Sequence, residues 1–165
     1  MQINKLKKDE LEVLKRFTYL ALYVPEGEKA FPYEIVYQPD ISKYYKDIDL
    51  DREVAIVAVE DGEIIGAIWE RLLDEDNKGY GFYKNSFSEL IISIEPNYRD
   101  RGIGNQLMSI FVEKLLELNR EGISLSVSYG NNAIHLYKKF GFEVVECRSD
   151  DILMILDLSS KSFGK

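Results

Sequence analysis

Between Arg99 and Gly104 the chain reads RDRGIG, where an apolar strand-like run, SELIISIEP, gives way to an apolar helix-like run. The first turn of a helix leaves backbone N–H groups without intrahelical acceptors. Together with the helix dipole they form a ready anion site. Gly102 and Gly104 remove side chains that would hold a ligand off the backbone, and Arg99 and Arg101 bring positive charge. Asp100, Ile103 and Asn105 complete the stretch, and a diphosphate is its natural occupant. A lone G-x-G also fits a helix start whose glycines only permit a tight turn. Two other phosphate motifs are excluded. A P-loop needs Gly-Lys-Ser/Thr, and this chain has Gly104-Asn105-Gln106. A dinucleotide fingerprint needs a small residue where Leu107 stands.

A second segment, NNAIHLYKKFGF, follows after one intervening strand-like run. With it the pair resembles the GNAT superfamily of acyl-CoA-dependent N-acetyltransferases. RDRGIG matches the family's Gln/Arg-x-x-Gly-x-Gly/Ala pyrophosphate motif. Asn131, Ala133, Leu136, Tyr137, Gly141 and Phe142 match its later Asn…Ala…Leu-Tyr-x-x-x-Gly-Phe motif. The commoner spacing puts the Asn three residues before the Ala, where Gly130 stands here; Asn131 lies two before. LYVPEGE and GAIWERL also look like segments of a small bacterial branch of stand-alone members.

The resemblance implies an α/β fold, one domain over residues 1–158, with residues 159–165 as a tail. Its mixed, mostly antiparallel sheet would be flanked by helices and have splayed central strands. It implies acetyl-CoA as co-substrate, its pyrophosphate on the amides from Arg101 to Asn105, flanked by Arg99 and Asp100. The pantetheine arm would pair with the backbone of LIISI at Ile92 and Ile94. Asn131 and Tyr137 would also meet the cofactor, and Tyr137 takes the family's general-acid position. Composition allows a packing tyrosine there as well, since Ile134, Tyr137 and Phe140 share helical spacing. The acceptor would be a primary amine, attacking directly.

An alkylamine with pKa near ~10.4 is protonated at neutral pH, so a base assists. Glu89, at the start of the strand that would carry the thioester, is the candidate; an ordinary exposed strand-end carboxylate is the other reading. Glu70 and Glu95 are alternatives. A catalytically silent acyl-CoA-binding or sensing module is the competing function. His135 reads as a surface residue and Cys147 as a small buried apolar group.

These residues need elements to hold them. Capping and apolar spacing predict a helix over Asp9–Tyr23, and Asp40 opens a short second one. VAIVAVEDGEIIGAIWERLL predicts a β-hairpin turning at Asp61-Gly62. After SELIISIEP comes a helix of about 18 residues, which Gly122 suits as a C-terminal stop. ISLSVSY is an alternating strand whose serines line a cofactor cleft or meet water. NNAIHLYKKF is a short helix, and FEVVECR with DILMILDL forms a closing hairpin. The expected order is ααβββαβαββ. The acceptor region would be YVPEGEKAFPYE and KYYKDIDLD, which combine aromatic and acidic residues.

The chain has 165 residues and a net charge of −8, with no basic field for nucleic acid. One cysteine and one histidine leave no multi-cysteine metal site. No apolar run reaches the ~18 residues of a membrane span. A cytoplasmic location is the expectation, and a homodimer is compatible with the superfamily.

Overall fold

The computed structural model describes residues 1–159, so all but Ser159 of the expected tail lies outside the described residues. The strands are β1 (Gln2–Lys5), β2 (Ala55–Glu60), β3 (Glu63–Arg71), β4 (Phe87–Ile94), β5 (Gly122–Ser128), β6 (Glu143–Cys147) and β7 (Asp151–Asp157). The helices are α1 (Val13–Ala21), α2 (Pro39–Ser42), α3 (Ile103–Glu117) and α4 (Ala133–Lys139). The strands run β1-β2-β3-β4-β5-β7-β6 in a seven-stranded sheet. The recorded pairs are antiparallel except β4 with β5, which is parallel. This is the expected mixed, mostly antiparallel α/β class.

The chain forms two compact units. The first contains Met1–Trp69 and Ile91–Phe111; the second contains Glu70–Leu90 and the residues from Val112 on.

In the first unit the predicted hairpin is present, and Asp61 (φ 51) and Gly62 (φ 78) supply the left-handed pair that a tight β-turn requires. Leu14 and Phe17 of α1 pack with Ala55, Val57, Ala67, Trp69 and Ile91 into a core. Each large side chain so buried contributes about 1.5–3 kcal/mol. The Trp69 indole donates to the Tyr44 carbonyl at 2.7 Å, which ties the segment after α2 to that core. At Gly66 a Cβ would lie 2.8 Å from Ile94 Cδ1 and 3.4 Å from Leu107 Cδ1. The missing side chain therefore lets the start of α3 sit close against the sheet, which fixes its N-terminal turn.

Three expectations are corrected here. β1 was absent from the expected order; it is a four-residue, largely exposed strand made by pairing Gln2–Lys5 with Ile56–Val59. The first helix is shorter than expected, because a 3₁₀ turn at Lys8–Glu10 precedes it. The second is reduced to one turn after a 3₁₀ segment at Tyr33–Tyr37.

In the second unit β5 is central, pairing with β7 over its whole length. Its recorded parallel ladder with β4 has three pairs, Phe87↔Gly122 to Glu89↔Ser124. Gly122 does not stop α3 as expected. Asn119, with φ 57, takes the left-handed position beyond the helix. Gly122 opens β5, where a Cβ would fall 2.4 Å from the Phe87 ring. Glu70, with no exposed surface, is held by Arg120 through bonds of 3.1 and 2.7 Å.

Candidate active site

In the first unit, β4 ends at Ile94, and a 3₁₀ turn at Pro96–Tyr98 leads to the glycine-rich stretch. Asp100 (φ 62) and Gly102 (φ 78) are both left-handed. Alternating left- and right-handed residues turn successive N–H groups toward one concavity, a form suited to anions. Among the described residues, no protein acceptor is recorded for the amides of Gly102, Ile103 or Gly104; the first bond of this turn is Gln106 N–H to Gly102 O at 3.2 Å. Asn105 has partners within the protein. Nothing lies within 4 Å of where a Gly102 Cβ would stand. Ile103 is buried and anchors the turn, while Arg99, Asp100, Arg101 and Gly102 are exposed.

The two arginines are oriented differently. Arg99 donates through Nε to the Ile94 carbonyl at 3.1 Å. The Arg101 guanidinium lies 5.1 Å from the Tyr98 ring centre, a cation–π distance. Along a strand the N–H and C=O of one residue share a direction, which alternates from residue to residue. Glu95 N–H bonds to Ile65 O on β3 at 2.8 Å. The backbone groups of Ile91 and Ser93 therefore face β3, and those of Ile92 and Ile94 face the opposite edge. The Ile94 carbonyl is already taken by Arg99. Glu95, an alternative base, is paired bidentately with Arg16 at 3.1 and 2.8 Å.

In the second unit, Tyr137 projects from α4 and is 8% exposed, its ring 5.7 Å from that of Phe142. Burial pushes its phenol up to about 12. No hydrogen bond to its hydroxyl is recorded among the described residues. Since only Ser88 Oγ is both fully buried and unpartnered there, the Tyr137 oxygen retains some solvent contact. Asn131, expected at the cofactor, uses its side-chain oxygen to accept the Ala133 N–H at 2.9 Å, a local turn that leads into α4.

Glu89 is not the exposed strand-end carboxylate of the plainer reading; it is 2% exposed. Its Oε2 accepts the Gly79 N–H at 2.9 Å and its Oε1 the Gly81 N–H at 3.1 Å. A proton accepted from an amine would compete with these bonds. Glu70, the other alternative base, is occupied by Arg120. Ser124 is buried, whereas Ser126 is half-buried and donates to Asp151 Oδ2 at 2.5 Å. Cys147 is exposed, against expectation, because every residue of edge strand β6 is exposed. Sequence reasoning missed Gly79, Gly81 and the Arg148–Asp151 pair, whose contacts leave no periodic trace. Among the described residues no cluster of three metal-ligating side chains occurs, and no helix is long and apolar enough to cross a membrane.

The GNAT acetyltransferase domain model matches residues 51–144, more than half the chain, and the chain belongs to that family. A mycothiol acetyltransferase from Propionibacterium freudenreichii is 29% identical over 87 residues, 52% of this chain and 26% of that protein. An acetyltransferase from Pectobacterium atrosepticum is 29% identical over 103 residues, 62% of this chain and 66% of that one. The chain thus spans about a quarter and about two thirds of these two relatives. Among solved structures, YncA of Salmonella typhimurium, determined with its cofactor acetyl-CoA, superposes with a TM-score of 0.68 at 17% identity, covering 95% of this chain and 93% of that one. The ribosomal-protein-alanine N-acetyltransferase of Brucella melitensis gives 0.67 at 20% identity, covering 96% and 100%. These likenesses establish the fold.

Proposed function

We propose that residues 1–158 act as one N-acetyltransferase domain, transferring acetyl from acetyl-CoA to a primary amine by direct attack on the thioester. The observation that carries this is the turn at Asp100–Gly104: two left-handed residues and three amides without a protein acceptor among the described residues, in a chain of this family. The diphosphate would accept from Gly102, Ile103 and Gly104, with Arg99 and Arg101 adding charge. The pantetheine amides would pair with the outward-facing backbone groups of Ile92.

Tyr137 would serve the departing thiolate. At about 12 its phenol is fully protonated at neutral pH. Complete transfer to a thiolate of pKa near ~8.5 would be uphill by roughly 5 kcal/mol. Tyr137 therefore acts by donating a hydrogen bond to the developing negative charge, which accumulates only as the thioester breaks. Freeing the amine costs about 4–5 kcal/mol at neutral pH, so rate should rise with pH up to the amine's own pKa.

The reading is tested by denaturing the protein with and without acetyl-CoA, then following thiol release with a panel of primary amines. Stabilisation by about 2.7 kcal/mol at ~100 times Kd is expected, with turnover of at least one amine. Absence of stabilisation defeats the proposal. Binding without turnover supports the alternative of a silent acyl-CoA module, which the engagement of Glu89, Glu70 and Glu95 within the protein favours.

A further inference from the structure

Arg99 and Arg101, the two cations beside the glycine-rich stretch, are both held by the short turn that precedes it. Arg99 Nε donates to the Ile94 carbonyl, and the Arg99 N–H donates to the Pro96 carbonyl at 3.4 Å. The Arg101 guanidinium rests over the Tyr98 ring. Glu95 stands at the head of this turn. Its carbonyl accepts the Tyr98 N–H at 2.9 Å, its own N–H reaches Ile65 O on β3, and Pro96 restricts the next φ. Its carboxylate is gripped from outside the turn by Nε and Nη2 of Arg16.

Arg16 is itself firmly placed. Leu14 and Phe17, with no exposed surface, seat α1 in the core. The Phe17 carbonyl accepts from Ser93 Oγ at 2.6 Å. Adjacent residues of α1 therefore hold β4 at Ser93 and at Glu95, two positions apart. A planar guanidinium bonded twice to one carboxylate fixes direction as well as distance. The two side chains are nonetheless 46% and 25% exposed, and a pair so open to water contributes little to folding. All of these residues belong to the first unit.

We infer that the Arg16–Glu95 pair positions the groups that bind the cofactor's diphosphate: by fixing Glu95 it sets the Pro96–Tyr98 turn, and with it Arg99 and Arg101. Cations already ordered before the ligand arrives lose less freedom on binding it. The inference rests on the proposed acetyltransferase reading, in which the diphosphate meets the amides of Gly102, Ile103 and Gly104. It makes Arg16, some 80 residues away in sequence, a determinant of cofactor affinity that acts through Glu95.

Charge alone and positioning give different signs. Through space, losing Arg16 would weaken an anion and losing Glu95 would strengthen it. Positioning requires both losses to weaken it. By calorimetry, Arg16→Gln and Glu95→Gln should each weaken acetyl-CoA by about fivefold, and the double variant by no more than either, because the two act as one unit. Acetyl-pantetheine, which lacks the diphosphate, should bind each variant within about twofold of the unaltered protein. Each variant should melt within about 3 °C of it, as an exposed pair allows. Tyr98→Leu keeps the pair but removes the ring beneath Arg101, and it should weaken acetyl-CoA by about threefold. The inference is overturned if Glu95→Gln binds acetyl-CoA as tightly as the unaltered protein or more so, or if the double variant regains full affinity. It is also overturned if acetyl-pantetheine is weakened as much as acetyl-CoA. No heat from acetyl-CoA with the unaltered protein would defeat the acetyltransferase reading and this inference together; unaltered binding that the variants retain defeats the inference alone.

Discussion

Replacing Gly102 by Ala probes the cradle with a matched control elsewhere in the same unit. Gly102 and Gly62 share φ 78, and at both positions a Cβ would meet no atom within 4 Å. Neither substitution creates a clash, so the cost to folding is conformational. Holding a non-glycine residue left-handed costs roughly 1–2 kcal/mol. At ~2–4 °C per kcal/mol for a chain of this size, each variant should melt about 2–8 °C lower. Equal backbone strain then isolates the effect on the ligand. Gly102 carries one of the amides assigned to the diphosphate, whereas Gly62 lies in the β2–β3 turn. By calorimetry, Gly102→Ala should weaken acetyl-CoA by about tenfold or more, equivalent to ~1.4 kcal/mol, and Gly62→Ala should not. If both melt lower and bind acetyl-CoA equally, the amides at the start of α3 do not carry the cofactor.

Other outcomes follow from the same geometry. Gly81→Ala sets a Cβ against three backbone atoms that cannot rotate away, so it should cost about 1–3 kcal/mol in denaturant melts. Arg120→Met strands the fully buried Glu70 carboxylate; a loss of about 3–5 kcal/mol is expected, and the double variant with Glu70→Leu should recover much of it. Tyr137→Phe should slow thiol release while acetyl-CoA affinity stays within about twofold. Tyr137 also gives a pH signature. Its phenol is raised from 10.0 to about 12, so between these values the native chain keeps a proton that the unfolded chain has lost. Stability must then fall as pH rises through that window, by about 3 kcal/mol in all, and the fall should be absent from Tyr137→Phe when the two are melted side by side.

The glycine-rich turn was legible because it joins two periodic segments, and the hairpin at Asp61-Gly62 because its turn residues announce it. β1 was not, since four mostly polar residues carry no alternation and the strand exists only by pairing with β2. Cys147 was misplaced because alternation with Val145 suggests a buried face, whereas β6 is an edge strand exposed along its length. The role of Glu89 was hidden for a different reason. Its partners are backbone amides eight and ten residues away, and a side chain bonded to main chain leaves no mark on the partner's identity beyond two unexplained glycines. Asn131 was placed in its motif, but its local bond to Ala133 is visible only in three dimensions.

The central claim is that the amides opening α3 hold the diphosphate of coenzyme A. Titrating the protein calorimetrically with acetyl-CoA and with acetyl-pantetheine, which lacks the nucleotide diphosphate, tests it directly. The account predicts that acetyl-CoA binds about 100-fold or more tightly, since charge-assisted bonds to a diphosphate contribute ~1.5–3 kcal/mol each. Equal affinity for the two, or no heat with acetyl-CoA, would contradict it.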